Sequence, residues 1–280
     1  MNTTKVVLLA LLLAVAVFSS GCMQILQEIK VYPDGTGMMA ETVKLSPMVA
    51  QIMAGFAEGM SGSGGPKQEM TFPDNLFPEE QFREKAQQMG EGVEFLSREV
   101  REFEEEMVGY VATYKINSID DFTLNPQAKN PTMETPGTNT PITFAFERGT
   151  SSSSLKIRQH FPTNEVGTKG EVRTEPPVQG GLSDADEKQM AQFAEMMKGM
   201  RIQIVVECGN EIERTNAKWR DGNRIVLVDF DMEELFSHPE KLQMLSQMQQ
   251  PQSKEDLESL LQGIEGIKFD ASEEIEVIFR

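Results

Sequence analysis

Apolar residues return at every second position through several stretches of the chain. The clearest are Tyr110/Ala112/Tyr114/Ile116, Ile142/Phe144/Phe146, Leu155/Ile157/Phe161, Ile202/Ile204/Val206/Cys208 and Ile275/Val277/Phe279. A period of two puts one face of each segment against a core and leaves the other wet, as in antiparallel strands. Turn chemistry separates these stretches. Gln24–Tyr32 and Met38–Leu45 flank PDGTG, whose Pro, Asp and Gly reverse the chain. Gly92–Glu102 and Val108–Asn117 flank an acidic turn, and Ile142–Glu147 and Ser154–Phe161 flank GTSSS. Arg201–Cys208, Glu211–Trp219 and Arg224–Phe230 read as a meander around Gly209-Asn210 and Asp221-Gly222-Asn223.

Elsewhere the period becomes helical. Ser46–Met60 gathers Val49, Ile52, Met53, Phe56 and Met60 on one face, and Asp184–Met200 gathers Met190, Phe193, Met197 and Met200. Pro78–Met89 starts with Pro at a first-turn position, Asp231 with Glu234 three residues on makes a capping box, and Ser253 caps a further helix. Three stretches have too little apolar content to pack. These are Ser61–Lys67, Asn125–Pro141 and Pro162–Gly181, rich in Gly, Ser, Pro or Thr. The pattern predicts an α+β fold: an antiparallel sheet of several hairpins packed against amphipathic helices, with disordered Pro/Thr/Gly-rich insertions. FREKAQQMGEGVEF is echoed by FAEMMKGMRIQI, and YKINSIDDF by VLVDFDMEELF. One domain over 22–280 is the simplest reading, with two related halves, 23–161 and 183–280, as a refinement that capping chemistry alone would also produce.

The run Val6–Phe18 has no polar face and follows a single charge at Lys5. It is shorter than the about 20 apolar residues that span a bilayer, and small residues (Ser19, Ser20, Gly21) follow it. Residues 1–21 therefore read as a cleaved signal peptide. Ser-Ser-Gly-Cys at this place resembles the lipobox of bacterial lipoprotein precursors. That resemblance implies a diacylglyceryl group on the Cys22 sulfur, cleavage before Cys22, and acylation of the new amino terminus. Ser19 stands where a lipobox usually has an aliphatic residue, so ordinary cleavage after Gly21 and an uncut anchor remain alternatives. Several acyl chains would hold the protein firmly to the extracytoplasmic side of a membrane, since one chain is marginal.

Charge narrows the partners. The chain has 26 Lys and Arg against 44 Asp and Glu, a formal net charge of −18. That balance excludes a phosphate-backbone binder, whose affinity comes from clustered cations, and repels anionic headgroups. Cys208 is the other thiol, so once Cys22 is lipidated no internal disulfide forms and the core must hold the fold.

MGEGVEF, GYVATYKINSIDDF, ITFAFERG and above all IERTNAKWRDGNRIVLVDFD resemble an uncharacterised group of bacterial envelope proteins. The similarity covers most of Glu79–Arg280 outside the linkers and carries no known activity. The leader, the cysteine and the PDGTG hairpin running into a helix are similar in architecture to LppM-like lipoproteins. That second resemblance implies an α+β domain associated with lipid binding.

Catalytic chemistry finds few footholds. Hydrolysis needs a general base beside a nucleophile. His160 falls on the wet face with Lys156 and Arg158, His238 precedes Pro239, and no GxSxG is present. Two histidines and one thiol make no zinc set. Asp229-x-Asp231-x-Glu233 alternates oxygen ligands, but Glu234 stands where a calcium loop needs Gly, and Asp231 reads as a helix cap. Glu104–Glu106 reads as a solvated turn, and SGSGGPK lacks the GK[ST] end of a phosphate loop. Met38-Met39 and Met196-Met197 offer soft ligands for copper, yet Met190/Phe193/Met197/Met200 has core spacing. The expectation is a non-catalytic, lipid-anchored envelope protein without cofactor or metal. It binds an apolar or lipid ligand through Met53, Phe56, Met190, Phe193 and Met197, which lie on Met-rich helices that close over the sheet. The alternative is a structural or protein-interaction module in which those helices only complete the core.

Overall fold

The computed structural model describes residues 23–51, 77–125, 141–160, 199–236 and 266–280. Cys22, Met53, Phe56, Met190, Phe193 and Met197 lie outside the described residues, as do the leader, His238 and nearly all of the three linkers.

The described residues form two sheets. The large one contains β1 (Met23–Val31), β2 (Gly37–Leu45), β3 (Val93–Glu102), β4 (Val108–Ile116), β8 (Arg201–Cys208), β10 (Arg220–Asp221), β11 (Arg224–Asp231) and β12 (Lys268–Phe269). Its order is β10-β11-β8-β1-β2-β4-β3, with β12 also on β11. The small sheet contains β5 (Thr123–Leu124), β6 (Ile142–Glu147), β7 (Ser153–Gln159), β9 (Ile212–Thr215) and β13 (Glu274–Phe279), in the order β5-β6-β7-β13-β9. Both sheets take strands from before and after residues 162–181. Helix α1 (Glu79–Met89) and the single turn α2 (Met232–Phe236) complete the elements, together with helical residues at 47–51. None of these is long and apolar enough to cross a membrane.

The α+β expectation is thereby corrected: the described fold is mostly β, in two sheets. The reason lies in what the alternating faces meet. Ile29, Val31, Met39, Val206 and Cys208 of the large sheet and Leu155, Ile157, Ile275, Val277 and Phe279 of the small one share one apolar core. Among the described residues strands bury strands over much of this core, and α1 (Glu79–Met89) adds its buried stripe to it. Two local expectations change as well. Arg201–Cys208 and Arg224–Phe230 pair directly, while the segment expected between them leaves the large sheet and joins β13 as β9. The large sheet is also not antiparallel throughout, because β1 runs parallel to β8.

The PDGTG turn shows how sequence sets the join between sheets. Asp34 Oδ1 accepts hydrogen bonds from the Thr36 hydroxyl at 2.6 Å and the Thr36 N–H at 3.0 Å. These bonds, the hydroxyl first, hold the Asp34 carboxyl below its usual range. Gly35 has φ 85°, a left-handed conformation that L side chains avoid, and a Cβ there would lie 2.9 Å from the Phe146 ring. The turn therefore rests directly on β6, and Ile119 N–H reaches Gly35 O at 2.9 Å.

The motif TNAKWRDGN is mostly scaffolding. Asn216 Oδ1 accepts from Glu276 N–H at 2.7 Å and its amide donates to Glu274 O at 3.2 Å. Lys218 N–H donates to the buried Asp270 carboxylate at 2.7 Å, and Arg220 donates to Ile212 O at 2.7 Å. Asn223 donates to Cys208 O at 2.7 Å. These bonds tie β9 to β13 through Asn216, the 216–219 turn to Asp270 through the Lys218 backbone, and the β8–β11 end through Asn223.

Candidate functional site

The inner face of the large sheet carries a polar island in apolar surroundings. Strands β1 and β2 are in a register that sets Gln27 opposite Glu41, between Ile29–Met39 on one side and Ile25–Val43 on the other. Ala112 of β4 lies opposite Glu41 on its other flank, with Tyr110 and Tyr114 two residues away along that strand. Glu41 is 2% exposed, and Gln27 is buried beside it. A carboxylate taken from water costs several kcal/mol unless charge and hydrogen bonds replace its hydration, by about that amount again. Here three groups do so. Gln27 donates to Oε2 at 3.0 Å, Tyr110 donates to Oε1 at 2.7 Å, and the Lys85 ammonium forms an ion pair with Oε2.

Lys85 reaches this carboxylate from helix α1. The helix has no side-chain cap at Pro78, but Glu79 and Glu80 favour its positive N-terminal end. Phe82, Ala86 and Met89 form its buried stripe, at the i, i+4, i+7 spacing of one helix face. Gly90 ends the helix at φ 140°, and a Cβ there would sit 1.9 Å from Asp121 O, so only glycine lets this end lie against the 119–121 turn. Lys85 falls between the buried positions and runs down the rim to Glu41.

Aromatic rings surround the island. The Phe82 ring meets Tyr110 edge-on at 4.8 Å and stacks near Phe95 at 5.7 Å, Phe77 meets Tyr110 at 4.8 Å, and Phe95 meets Tyr114 at 5.8 Å. Tyr114 is fully buried, and its hydroxyl has no hydrogen-bond partner, the one such buried side-chain atom among the described residues. An unpaired buried hydroxyl is costly, by about 1–3 kcal/mol, and rare.

The charges settle accordingly. Burial alone would push the Glu41 carboxyl up, but the Lys85 charge and the bonds from Lys85, Gln27 and Tyr110 outweigh it and hold the group below its ordinary range. Glu41 is a buried anion. Burial first, and then that anion, push the Tyr110 and Tyr114 hydroxyls up, so both keep their protons.

The other candidates are placed differently. Asp229 is bound by Arg201 through two contacts of 2.8 and 2.9 Å, and Asp231 accepts from Glu233 N–H at 3.0 Å in the first turn of α2. Among the described residues no group of three His, Cys, Asp or Glu could hold a metal ion. His160 is exposed, with Nε2 2.9 Å from the Thr143 hydroxyl. Cys208 is buried, and burial, with Glu207 nearby, pushes its thiol up to about 12. Sequence reasoning missed the Glu41 island. Its signal was one of parity: Glu41 shares the face of Met39 and Leu45, and Gln27 shares that of Ile29 and Val31.

No protein-family profile matches the chain, and no curated protein matches it. Among solved structures, the chain is similar to the folded domain of the LppM protein of Mycobacterium tuberculosis, determined by NMR. The two are 11% identical with a TM-score of 0.31, over 94% of this chain and 91% of that one. The likeness is distant.

Proposed function

We propose that the chain is a lipid-anchored, exported envelope protein that binds a lipid-like ligand between helix α1 and the large sheet, without catalysing a reaction. The Tyr114 hydroxyl carries this reading. It is a hydrogen-bonding group left unanswered at the floor of an aromatic layer, which suits a partner from outside the chain. The neighbouring Glu41 anion sets the ligand's chemistry. A negative field at Tyr114 disfavours an anionic headgroup, so the ligand is a neutral amphiphile with a hydroxyl or carbonyl beside its apolar chain. A chain arriving there must lift α1, and the Lys85–Glu41 ion pair is the contact it has to release.

The anchor half of the proposal rests on the Val6–Cys22 leader. Strand β1 begins at Met23, so a lipid on Cys22 would hold the large sheet close to its membrane. A second reading, a structural module without a ligand, is favoured by the completeness of the remaining network: Glu41, Lys85, Gln27 and Tyr110 all satisfy one another. The two separate in one experiment. The full chain and Tyr114→Phe are purified from membranes, and their non-covalent lipid is extracted with solvent and quantified. A stoichiometric neutral lipid that falls several-fold in Tyr114→Phe supports binding. An equally clean protein from both sources supports the structural module.

A further inference from the structure

Strand β3 stands at the end of the large sheet, and among the described strands none lies beyond it. On that side, which no described strand pairs, β3 presents a row of backbone donors and acceptors that another strand can use. The bulge at Leu96 interrupts its pairing with β4, but from Ser97↔Thr113 to Glu102↔Val108 the register is unbroken. This regular segment is mostly exposed. Glu99 and Arg101 lie on the outer face with side chains 67% and 47% exposed, joined by a loose ion pair of 3.7 Å. Val100, on the inner face, packs partly against the core.

We infer that this edge pairs antiparallel with the same edge of a second copy, about a two-fold axis at Val100. Charge complementarity selects both the partner and the register. About that axis Glu99 faces Arg101 of the second copy and Arg101 faces its Glu99. With the pair within each strand, four charges of alternating sign form a square on the outer face, and Val100 meets Val100 on the inner one. Opposite charges and β-branched pairs directly across strands are favourable, and like charges are not. Moving the axis by one residue sets Glu99 against Glu99 or Arg101 against Arg101, so neighbouring registers are excluded. The interface is isologous and closes as a dimer. So short an edge buries far less than the about 1,200–2,000 Å² of a stable interface, so the dimer is weak and depends on concentration.

Sedimentation equilibrium of the full chain in density-matched detergent, over a concentration series, tests this. Wild type is expected to show a monomer–dimer equilibrium. Arg101→Glu places four acidic groups in the square and weakens it about tenfold or more, and Glu99→Arg does the same with four basic groups. The double variant Glu99→Arg/Arg101→Glu restores the wild-type association. An equimolar mixture of the two single variants forms a heterodimer where neither associates alone. Circular dichroism confirms that each variant is folded. A wild type that stays monomeric throughout, a dimer indifferent to Arg101→Glu, or a loss that neither the double variant nor the mixture repairs would each overturn the inference.

Discussion

Replacing Lys85 by Met removes the ammonium from the Glu41 island and keeps most of the side chain's apolar stem. Breaking a buried ion pair from one side costs about 3–5 kcal/mol, because the other charge stays buried. Two features lower that figure. The Lys85 side chain is 30% exposed, so water already shares its charge, while Gln27 and Tyr110 still donate to the carboxylate. A loss of about 2–3 kcal/mol at neutral pH is expected, which lowers Tm by roughly 4–12 °C in a chain of this size. The pH dependence sharpens the test. Native Glu41 is held below its usual range, so its contribution is present above the unfolded carboxylate pKa and is lost as pH falls through the folded value. Without Lys85, burial is less opposed, the carboxyl moves up, and protonation relieves the buried charge. The deficit of Lys85→Met relative to wild type therefore narrows on acidification. Glu41→Gln/Lys85→Met, which leaves no charge behind, recovers most of the loss. Urea titrations followed by circular dichroism across the carboxylate range give all these numbers. A deficit below about 1 kcal/mol that does not change with pH would mean that Glu41 and Lys85 are not a buried pair, because that is how an exposed pair behaves.

Other outcomes follow from the same geometry. Cys208, buried with its thiol near 12, resists a thiol reagent at neutral pH in the folded protein and reacts at once in denaturant; fast native labelling would contradict its placement. Asn216→Ala strips partners from Glu276 N–H and Glu274 O, both in exposed contacts that water can answer, and costs about 0.5–1.5 kcal/mol in urea titration, whereas Asn216→Asp keeps the acceptor and costs less. Cys22→Ala moves the protein from the membrane pellet to the soluble fraction; a variant that stays membrane-bound with its leader attached would end the lipid-anchor reading.

How far the sequence can be read depends on which contacts are local. Alternation along Tyr110–Ile116, Ile202–Cys208 and Ile275–Phe279 marks strands directly, because a strand's two faces differ residue by residue. Alternation does not say what covers the buried face. Among the described residues much of the core is covered by a second sheet, since Ile275, Val277 and Phe279 bury as well against strands as under a helix. Sheet membership was hidden too. Nothing in Ile212–Thr215 itself announces that it leaves its neighbours for β13, a pairing made across more than sixty residues of chain. Glu41 was the most instructive omission. As one Glu in an acidic chain it looks like solvent-exposed charge, and only its place among Met39, Val43 and Leu45 marks it as inward. The partners that make its burial tolerable, Lys85 and Tyr110, come from α1 and β4, far away in sequence.

Ligand binding at Tyr114 is tested most directly by photo-crosslinking with a neutral monoacylglycerol that carries a diazirine in its acyl chain, with the matching free fatty acid as comparison. The full chain is labelled in detergent and the adducts are mapped by peptide mass spectrometry. Saturable adducts are expected on Phe77, Phe82, Phe95 or Tyr110, displaced by unlabelled monoacylglycerol, reduced by Tyr114→Phe, and weaker with the anionic probe. Labelling that does not saturate, that falls elsewhere, or that favours the fatty acid would contradict a neutral ligand held at Tyr114 beneath helix α1.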